Sequence, residues 1–167
     1  MTEHPSDDAS TAKQRGGPIL VAVDFSPCSE AALVLAGDLA SALARRLVVL
    51  HVVHDPANLP GYYRRKSHKK TLSRMEDLAG EMLDTFLAEV RTKHPECQAL
   101  QKSEVLLVKG LPVTRILQVA EKQQAGMLVI GSKGMTGLRP LLLGSVAAQV
   151  VSLATLPVTV VRENQQS

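Results

Sequence analysis

The chain has 167 residues, 45% of them apolar and 21% charged, so it is long enough for one domain that buries roughly two thirds of its unfolded surface. It has only two cysteines, which lie far apart without a CxxC pattern, so we expect two free thiols and no zinc site. No stretch approaches the roughly 18 consecutive apolar residues that cross a bilayer. These features favour a soluble protein of the reducing cytoplasm that does not act at a membrane.

The composition also indicates the domain boundaries. Residues 1–17 are polar, contain Pro and Gly and lack an apolar centre, which predicts a disordered arm and not a signal peptide. We place one domain at 18–163 and a short tail at 164–167.

The net charge of +3 comes from one short stretch. Its six basic residues are Arg64, Arg65, Lys66, Lys69, Lys70 and Arg74. The other 13 basic residues are outnumbered by 16 acidic ones, so a dedicated nucleic-acid-binding fold is not expected. The aromatic and basic segment 62–74 leaves open a second possibility, an adaptor that meets nucleic acid or an acidic partner.

Five continuous apolar runs, rich in β-branched residues, are typical of strands buried on both faces. They lie at 19–23, 47–53, 104–108, 127–130 and 157–161. Segments between the runs carry apolar residues at helical spacing. The order βαβαβαβαβ requires crossover connections, so we predict an α/β fold with a parallel sheet and helices on both faces.

The helical spacing also predicts the buried face of each helix. The predicted stripes are Leu35, Leu39 and Leu43; then Leu72, Met75, Ala79, Met82, Phe86 and Val90; then Val113, Ile116, Leu117 and Ala120; and finally Ala147, Val150, Val151 and Ala154. Ser26 followed by Pro27 predicts an N-cap with proline at the first helical position. His51, inside an apolar run, is predicted to be buried and hydrogen-bonded.

A glycine-rich loop, GSKGMTGLRPLLLGS, follows the fourth run at residues 131–145. Gly131 and Gly134 are expected to allow unusual backbone conformations and to let a ligand approach the main-chain N–H groups. Gly144 and Ser145 open a helix, whose free N–H groups and positive dipole end attract an anion such as a phosphate. The alternative is that the glycines only shape a long connection.

Asp24 follows the first run, so it should lie at the same carboxyl edge of the sheet as the glycine loop. Ligands of open α/β sheets bind at this edge, where the strand order reverses. Asp24 could instead only cap a turn. GxxxxGK[ST], a GxGxxG after the first strand and GxSxG are all absent, which argues against P-loop NTPases, dinucleotide oxidoreductases and nucleophile-elbow hydrolases.

The spacing Gly131, two residues, Gly134, nine residues, Gly144, Ser145 resembles the nucleotide signature of the universal stress protein (UspA) family, ATP-binding subtype. VAVDFS, LHVV, VKGLP and LPVTVVR also occur in the order of that family, and the resemblance covers about residues 18–162. It implies a Rossmann-like three-layer αβα sandwich with five parallel strands in the order 3-2-1-4-5. It also implies a cytoplasmic homodimer that binds ATP.

The same resemblance assigns roles to individual residues. From base to phosphates they are Asp24 and Val52, then Gly131, Gly134, Gly144 and Ser145, with Ser132 and Lys133 lining the turn. The ligand would be ATP, ADP or AMP, accompanied by Mg²⁺. No catalytic base is identifiable beside the loop, so the sequence favours a nucleotide-binding stress or regulatory protein over an enzyme, with slow ATP hydrolysis as the alternative.

The last predicted strand, Val158–Val161, should form an edge of the sheet. Antiparallel pairing of this strand with its copy would satisfy the backbone of both chains about a two-fold axis. We therefore expect a homodimer through this strand.

Overall fold

The computed structural model describes residues 16–54, 68–135 and 143–163, with side chains of the second range from residue 73. The predicted tail and all but the last two residues of the predicted arm lie outside these ranges. So do the side chains of the basic stretch before Arg74.

Ten elements follow one another along the described chain. They are β1 (Ile19–Val23), α1 (Pro27–Ala42), β2 (Leu47–His54), α2 (His68–Lys93), α3 (Gln98–Gln101), β3 (Glu104–Gly110), α4 (Pro112–Lys122), β4 (Met127–Gly131), α5 (Ser145–Leu153) and β5 (Val158–Val161). The strands form one sheet in the order β3-β2-β1-β4-β5, and every neighbouring pair is parallel. The predicted fold class and strand order are confirmed.

The sheet separates two apolar cores, as the alternation of side chains along β1 shows. Ile19, Val21 and Val23 pack in the core below α1 and α2, whereas Leu20 and Ala22 pack in the core below α4 and α5. A strand with helices on both faces buries consecutive residues, and all five residues of β1 are buried. The domain is therefore a three-layer αβα sandwich.

Helix α1 begins as predicted but buries a different face. Ser26 is its N-cap, and the Ser26 hydroxyl accepts a hydrogen bond from the amide of Ser29 at 3.2 Å. The predicted stripe of Leu35, Leu39 and Leu43 is correct only in part, since Leu39 is partly buried against the core but Leu43 is 48% exposed. The buried side is built mainly from small residues that let the helix approach β1 and β4 closely. Its members are Cys28, Ser29, Ala32, Leu33, Ala36, Gly37 and Ala40.

The other helices follow the prediction in part. Ile116 and Ala120 of α4 and Ala147 and Val150 of α5 are buried as expected, but Val151 is 46% exposed.

In α2, Ala79 and Val90 are buried together with Leu83 and Leu87, which the prediction missed. Met75 and Met82 are 40% and 45% exposed, so the predicted stripe of α2 is rotated from the real one. This helix packs against β2, and part of its apolar surface stays exposed.

Strand β3 is a correction to the prediction that all strands are buried on both faces. It ends the sheet next to β2, and Val105 and Leu107 are each 38% exposed. The short helix α3 was not predicted, because four residues carry no periodic signal. The described ranges contain no helix that is both long and apolar enough to span a bilayer.

Replacing two helical glycines, Gly37 and Gly80, by alanine should have opposite effects on stability. A Cβ on Gly37 would lie 2.7 Å from Leu100 Cγ and 2.9 Å from Cys97 Sγ, so Gly37→Ala would overpack the contact between α1 and α3. Overpacking typically costs about 1–3 kcal/mol. We expect Gly37→Ala to lower the free energy of unfolding, measured by urea denaturation.

The matched control is Gly80→Ala in α2. A Cβ there would meet only Leu107 Cδ2, at 4.0 Å, so the substitution should raise the free energy of unfolding by about 0.5–1 kcal/mol through lower backbone entropy of the unfolded chain. Equal shifts for the two variants would show that the packing argument for Gly37 is wrong.

Candidate functional site

A cavity of about 510 Å³ opens at the carboxyl edge of the sheet, where the strand order reverses between β1 and β4. All the residues that the sequence analysis predicts to bind a nucleotide line this cavity: Asp24, Val52, Gly131, Ser132, Lys133, Gly134, Gly144 and Ser145. The fold therefore brings residues from β1, β2, β4 and α5 to one place, as expected for an open α/β sheet.

Asp24 has two roles in the geometry, one for each carboxylate oxygen. Its Oδ1 accepts hydrogen bonds from the Ser26 amide at 3.1 Å and the Ser26 hydroxyl at 2.6 Å, which holds the turn into α1. Its Oδ2 faces Gly134, since a Cβ on that glycine would lie 2.7 Å away. The two interpretations of Asp24, turn residue and cavity residue, are both compatible with this arrangement.

Close packing against the backbone accounts for Gly131 and Gly144 of the loop, and unusual backbone angles do not. Gly131, Gly134 and Gly144 all lie outside the left-handed region, so the expectation that Gly131 and Gly134 adopt conformations that other residues resist is wrong. A Cβ on Gly131 would stand 2.9 Å from the carbonyl carbon of Cys28, and one on Gly144 would stand 3.2 Å from Ser132 O. Gly131 thus permits β4 to pack against the start of α1.

The amino end of α5 forms one wall of the cavity. Gly144 is the N-cap, with φ −61° and ψ 151°, and no side chain caps the helix. The first residue, Ser145, is exposed, and its hydroxyl does not cap the helix. The amides of Ser145, Val146 and Ala147 have no carbonyl partner within the helix. Such an end attracts negative charge.

Another part of the cavity lining is apolar. Leu50, Val52, Ile116 and Ile130 contribute to it, and Ile116 is 3% exposed. A cavity that combines apolar side chains with a helix amino end suits a molecule with a flat uncharged part and an anionic part.

Sequence reasoning missed several lining residues. Ile116 and Pro112 come from α4, while Met135 and Leu143 flank the undescribed part of the glycine loop. The start signal Gly110, Leu111, Pro112 could have placed the beginning of α4 at this edge, but nothing in the sequence indicates that Ile116 faces the cavity.

His51 lines the cavity and is hydrogen-bonded as predicted, but it is half-buried and not fully buried. Its Nδ1 lies 2.8 Å from Val23 O, an acceptor, so Nδ1 carries the proton and donates. The Phe25 ring stands 4.4 Å from the imidazole ring, centroid to centroid. Burial lowers the pKa of His51 below its ordinary value of 6.5, although the hydrogen bond to Val23 and the charge of Asp24 oppose the shift.

Metal ligands do not cluster in the part of the chain that the structure describes. There, no three His, Cys, Asp or Glu residues come together. Asp24 is the one carboxylate among the described residues that line the cavity.

A parallel sheet in the order 3-2-1-4-5 with helices on both faces and a glycine-lined cavity at its switch point defines a Rossmann-like α/β protein. The profile described as "Universal stress protein family" matches residues 17–162, so the chain belongs to the universal stress protein family.

Individual relatives agree with this assignment. A universal stress protein of Mycolicibacterium smegmatis is 34% identical over 145 residues, which is 87% of this chain and 45% of the relative. The chain thus spans about half the length of the first curated relatives that it matches.

Two solved structures illustrate the fold. The universal stress protein UspA from Lactobacillus plantarum has a TM-score of 0.74 at 23% identity, covering 89% of this chain and 99% of its own. The universal stress protein from Archaeoglobus fulgidus in complex with dAMP has a TM-score of 0.54 at 26% identity, covering 87% and 97%.

The lowered pKa of His51 predicts a pH dependence of stability. Between the native pKa and 6.5 the unfolded state binds more protons than the native state, so the free energy of unfolding falls as the pH drops through this window. We expect urea denaturation to show a steeper loss from about pH 7.5 to about pH 5 for the wild type than for His51→Gln. An NMR titration midpoint of His51 at or above 6.5 would contradict the prediction.

Proposed function

We propose that the chain binds an adenine nucleotide in this cavity, with ATP as the main ligand, and that it acts in stress response or regulation in the cytoplasm. The observation that carries the proposal is the pairing of an apolar wall at Val52 and Ile116 with the open amino end of α5. The apolar wall suits a base, and the helix end suits phosphates.

The glycine cradle supports this proposal. A side chain at Gly134 would push against Asp24, and one at Gly144 would push against Ser132, so the loop has little room for larger residues. The structure of the Archaeoglobus fulgidus relative with dAMP shows that a member of the family takes an adenine nucleotide.

The charged side chains of the cavity, Lys133 and Asp24, are compatible with a phosphate chain that binds together with Mg²⁺. Lys133 lines the cavity and can contribute positive charge beside the α5 amides. Asp24 is a single carboxylate, and Mg²⁺ is commonly held by one or two carboxylates together with substrate phosphates and water. Asp24 would therefore assist a Mg²⁺ ion that the phosphates mainly hold.

Fast hydrolysis has less support than binding. Phosphoryl transfer needs a group that orients or deprotonates the attacking water. One oxygen of Asp24 is already used by Ser26, and no other carboxylate lines the cavity in the described part of the chain. We infer a binding protein whose ATP hydrolysis is slow at most.

ATP should raise the melting temperature of the protein. A ligand that binds only the folded state, present at about a hundred times its Kd, stabilises by about 2.7 kcal/mol. Gly134→Val should abolish the rise, because its Cβ would lie 2.7 Å from Asp24 Oδ2 and displace the carboxylate. Differential scanning fluorimetry with ATP, ADP, AMP and GTP would measure the effect and the preference.

Gly80→Ala is the control, since it replaces a glycine at an open position of α2 outside the cavity lining and should keep the ATP shift. Gly134 is exposed, so its variant should fold. A folded Gly134→Val protein with the full ATP shift would remove the cavity assignment.

We also propose that β5 pairs with its copy in a homodimer. The Leu128 amide of β4 donates a hydrogen bond to Pro157 O, and the Ser132 amide donates one to Val161 O. The carbonyl groups of residues 157 and 161 therefore point toward β4. Because hydrogen-bonding direction alternates along a strand, Val158 and Val160 point their backbone groups to the free edge. Such an edge is a template for another strand.

Val160→Pro should shift the protein toward monomer, because it removes an outward donor and leaves the ladder to β4 intact. Sedimentation of the wild type should give about twice the chain mass of 17.9 kDa. The control is Val105→Pro in β3 at the opposite edge, which should leave the association unchanged. A wild type that stays monomeric at high micromolar concentration would refute the dimer while leaving the nucleotide site untouched.

A further inference from the structure

A second concave surface, here called the α2 groove, lies beside the turn that follows β1. Its volume is about 430 Å³. Phe25, Leu78, Met82 and Phe86 form its apolar floor, and Leu78 and Met82 are 58% and 45% exposed. Exposed apolar side chains that line one groove often mark a site of interaction.

Phe25 makes the floor of the groove a preformed surface. Its φ of 67° lies in the left-handed region, which is unfavourable for a bulky side chain and is held only where the surroundings fix it. The ring is fixed on two sides, by an edge-on contact with Phe86 at 5.6 Å and by His51 at 4.4 Å.

The rim of the groove is acidic. Glu81 and Glu89 both line it and lie on the same helix, about 12 Å apart along the axis. Among the described residues, neither carboxylate takes part in an ion pair. Lys93, whose charge also interacts with Glu89, forms its ion pair with Glu30 at 2.7 Å.

We propose that the α2 groove is a docking surface for a basic amphipathic helix of a partner protein. Leucine or phenylalanine side chains of that helix fill the floor, and its lysine or arginine side chains pair with Glu81 and Glu89 across two helical turns. Met82 can adapt to different apolar side chains.

The position of the groove leaves the proposed dimer edge free. Helix α2 packs on β2, whereas β5 forms the far end of the sheet. A helix on the α2 groove therefore does not compete with strand pairing at β5. The groove and the cavity share no lining residue, so this proposal does not depend on nucleotide binding.

The test uses a fluorescein-labelled amphipathic peptide of leucine and lysine, about four helical turns long. Fluorescence anisotropy with the full chain should show binding that weakens at least tenfold in Met82→Glu and in the double variant Glu81→Lys, Glu89→Lys. The charge reversal changes no buried residue, so it remains informative if Met82→Glu is unstable. A leucine and glutamate peptide of the same pattern should not bind.

The controls repeat the same chemistry away from the groove. Leu153→Glu changes another exposed apolar residue, 60% exposed, and Glu121→Lys reverses an exposed charge on α4. Both should keep the peptide affinity within about twofold, well under 1.4 kcal/mol. Equal loss in groove and control variants would overturn the proposal.

One further variant tests whether the groove binds a partner helix or the basic stretch of the same chain. If replacing Arg64, Arg65 and Lys66 by Ser raises the peptide affinity more than tenfold, the chain's own basic stretch competes for the groove and the assignment to a partner helix is wrong. An unchanged affinity supports it.

Discussion

The hydroxyl of Ser26 is the contact on which the geometry of the cavity depends. It accepts from the Ser29 amide at 3.2 Å, which starts α1, and it lies 2.6 Å from Asp24 Oδ1 and 3.2 Å from Lys133 O. One buried group therefore ties the β1–α1 turn to the loop after β4. Because a buried hydroxyl is costly to leave unpaired, these two loops hold each other in register.

That tie explains why the loop after β4 needs glycine. The loop can reach Ser26 only if β4 ends directly against α1, and a Cβ on Gly131 would collide with the backbone of Cys28 and Ser29 at about 3 Å. The same closeness brings Gly134 up to Asp24. The glycine spacing of the sequence is therefore explained by a tertiary contact. Two segments more than 100 positions apart in the sequence pack closely against each other at these glycines.

Much of the fold and the cavity could be predicted from the sequence, for identifiable reasons. The strand order came through the family resemblance, and the clustering of Asp24 with the glycine loop follows from parallel strands, whose carboxyl ends share an edge. The buried faces of α1 and α2 could not be predicted, because leucine or methionine periodicity does not reveal that Ala32 and Ala36 sit against the sheet while Met82 points outward. The exposure of Val105 in the edge strand β3 likewise depends on the order of strands and not on their composition.

Phe25 connects the cavity and the α2 groove. It follows Asp24 of the cavity and precedes the Ser26 cap, while its ring contacts both His51 at the cavity and Phe86 in the α2 groove. Its backbone lies in the left-handed region, which a bulky side chain adopts only where the surroundings hold it. Asp24 and Phe86 are therefore linked through one peptide bond and one ring contact. This arrangement brings the cavity and the α2 groove to the same short turn after β1.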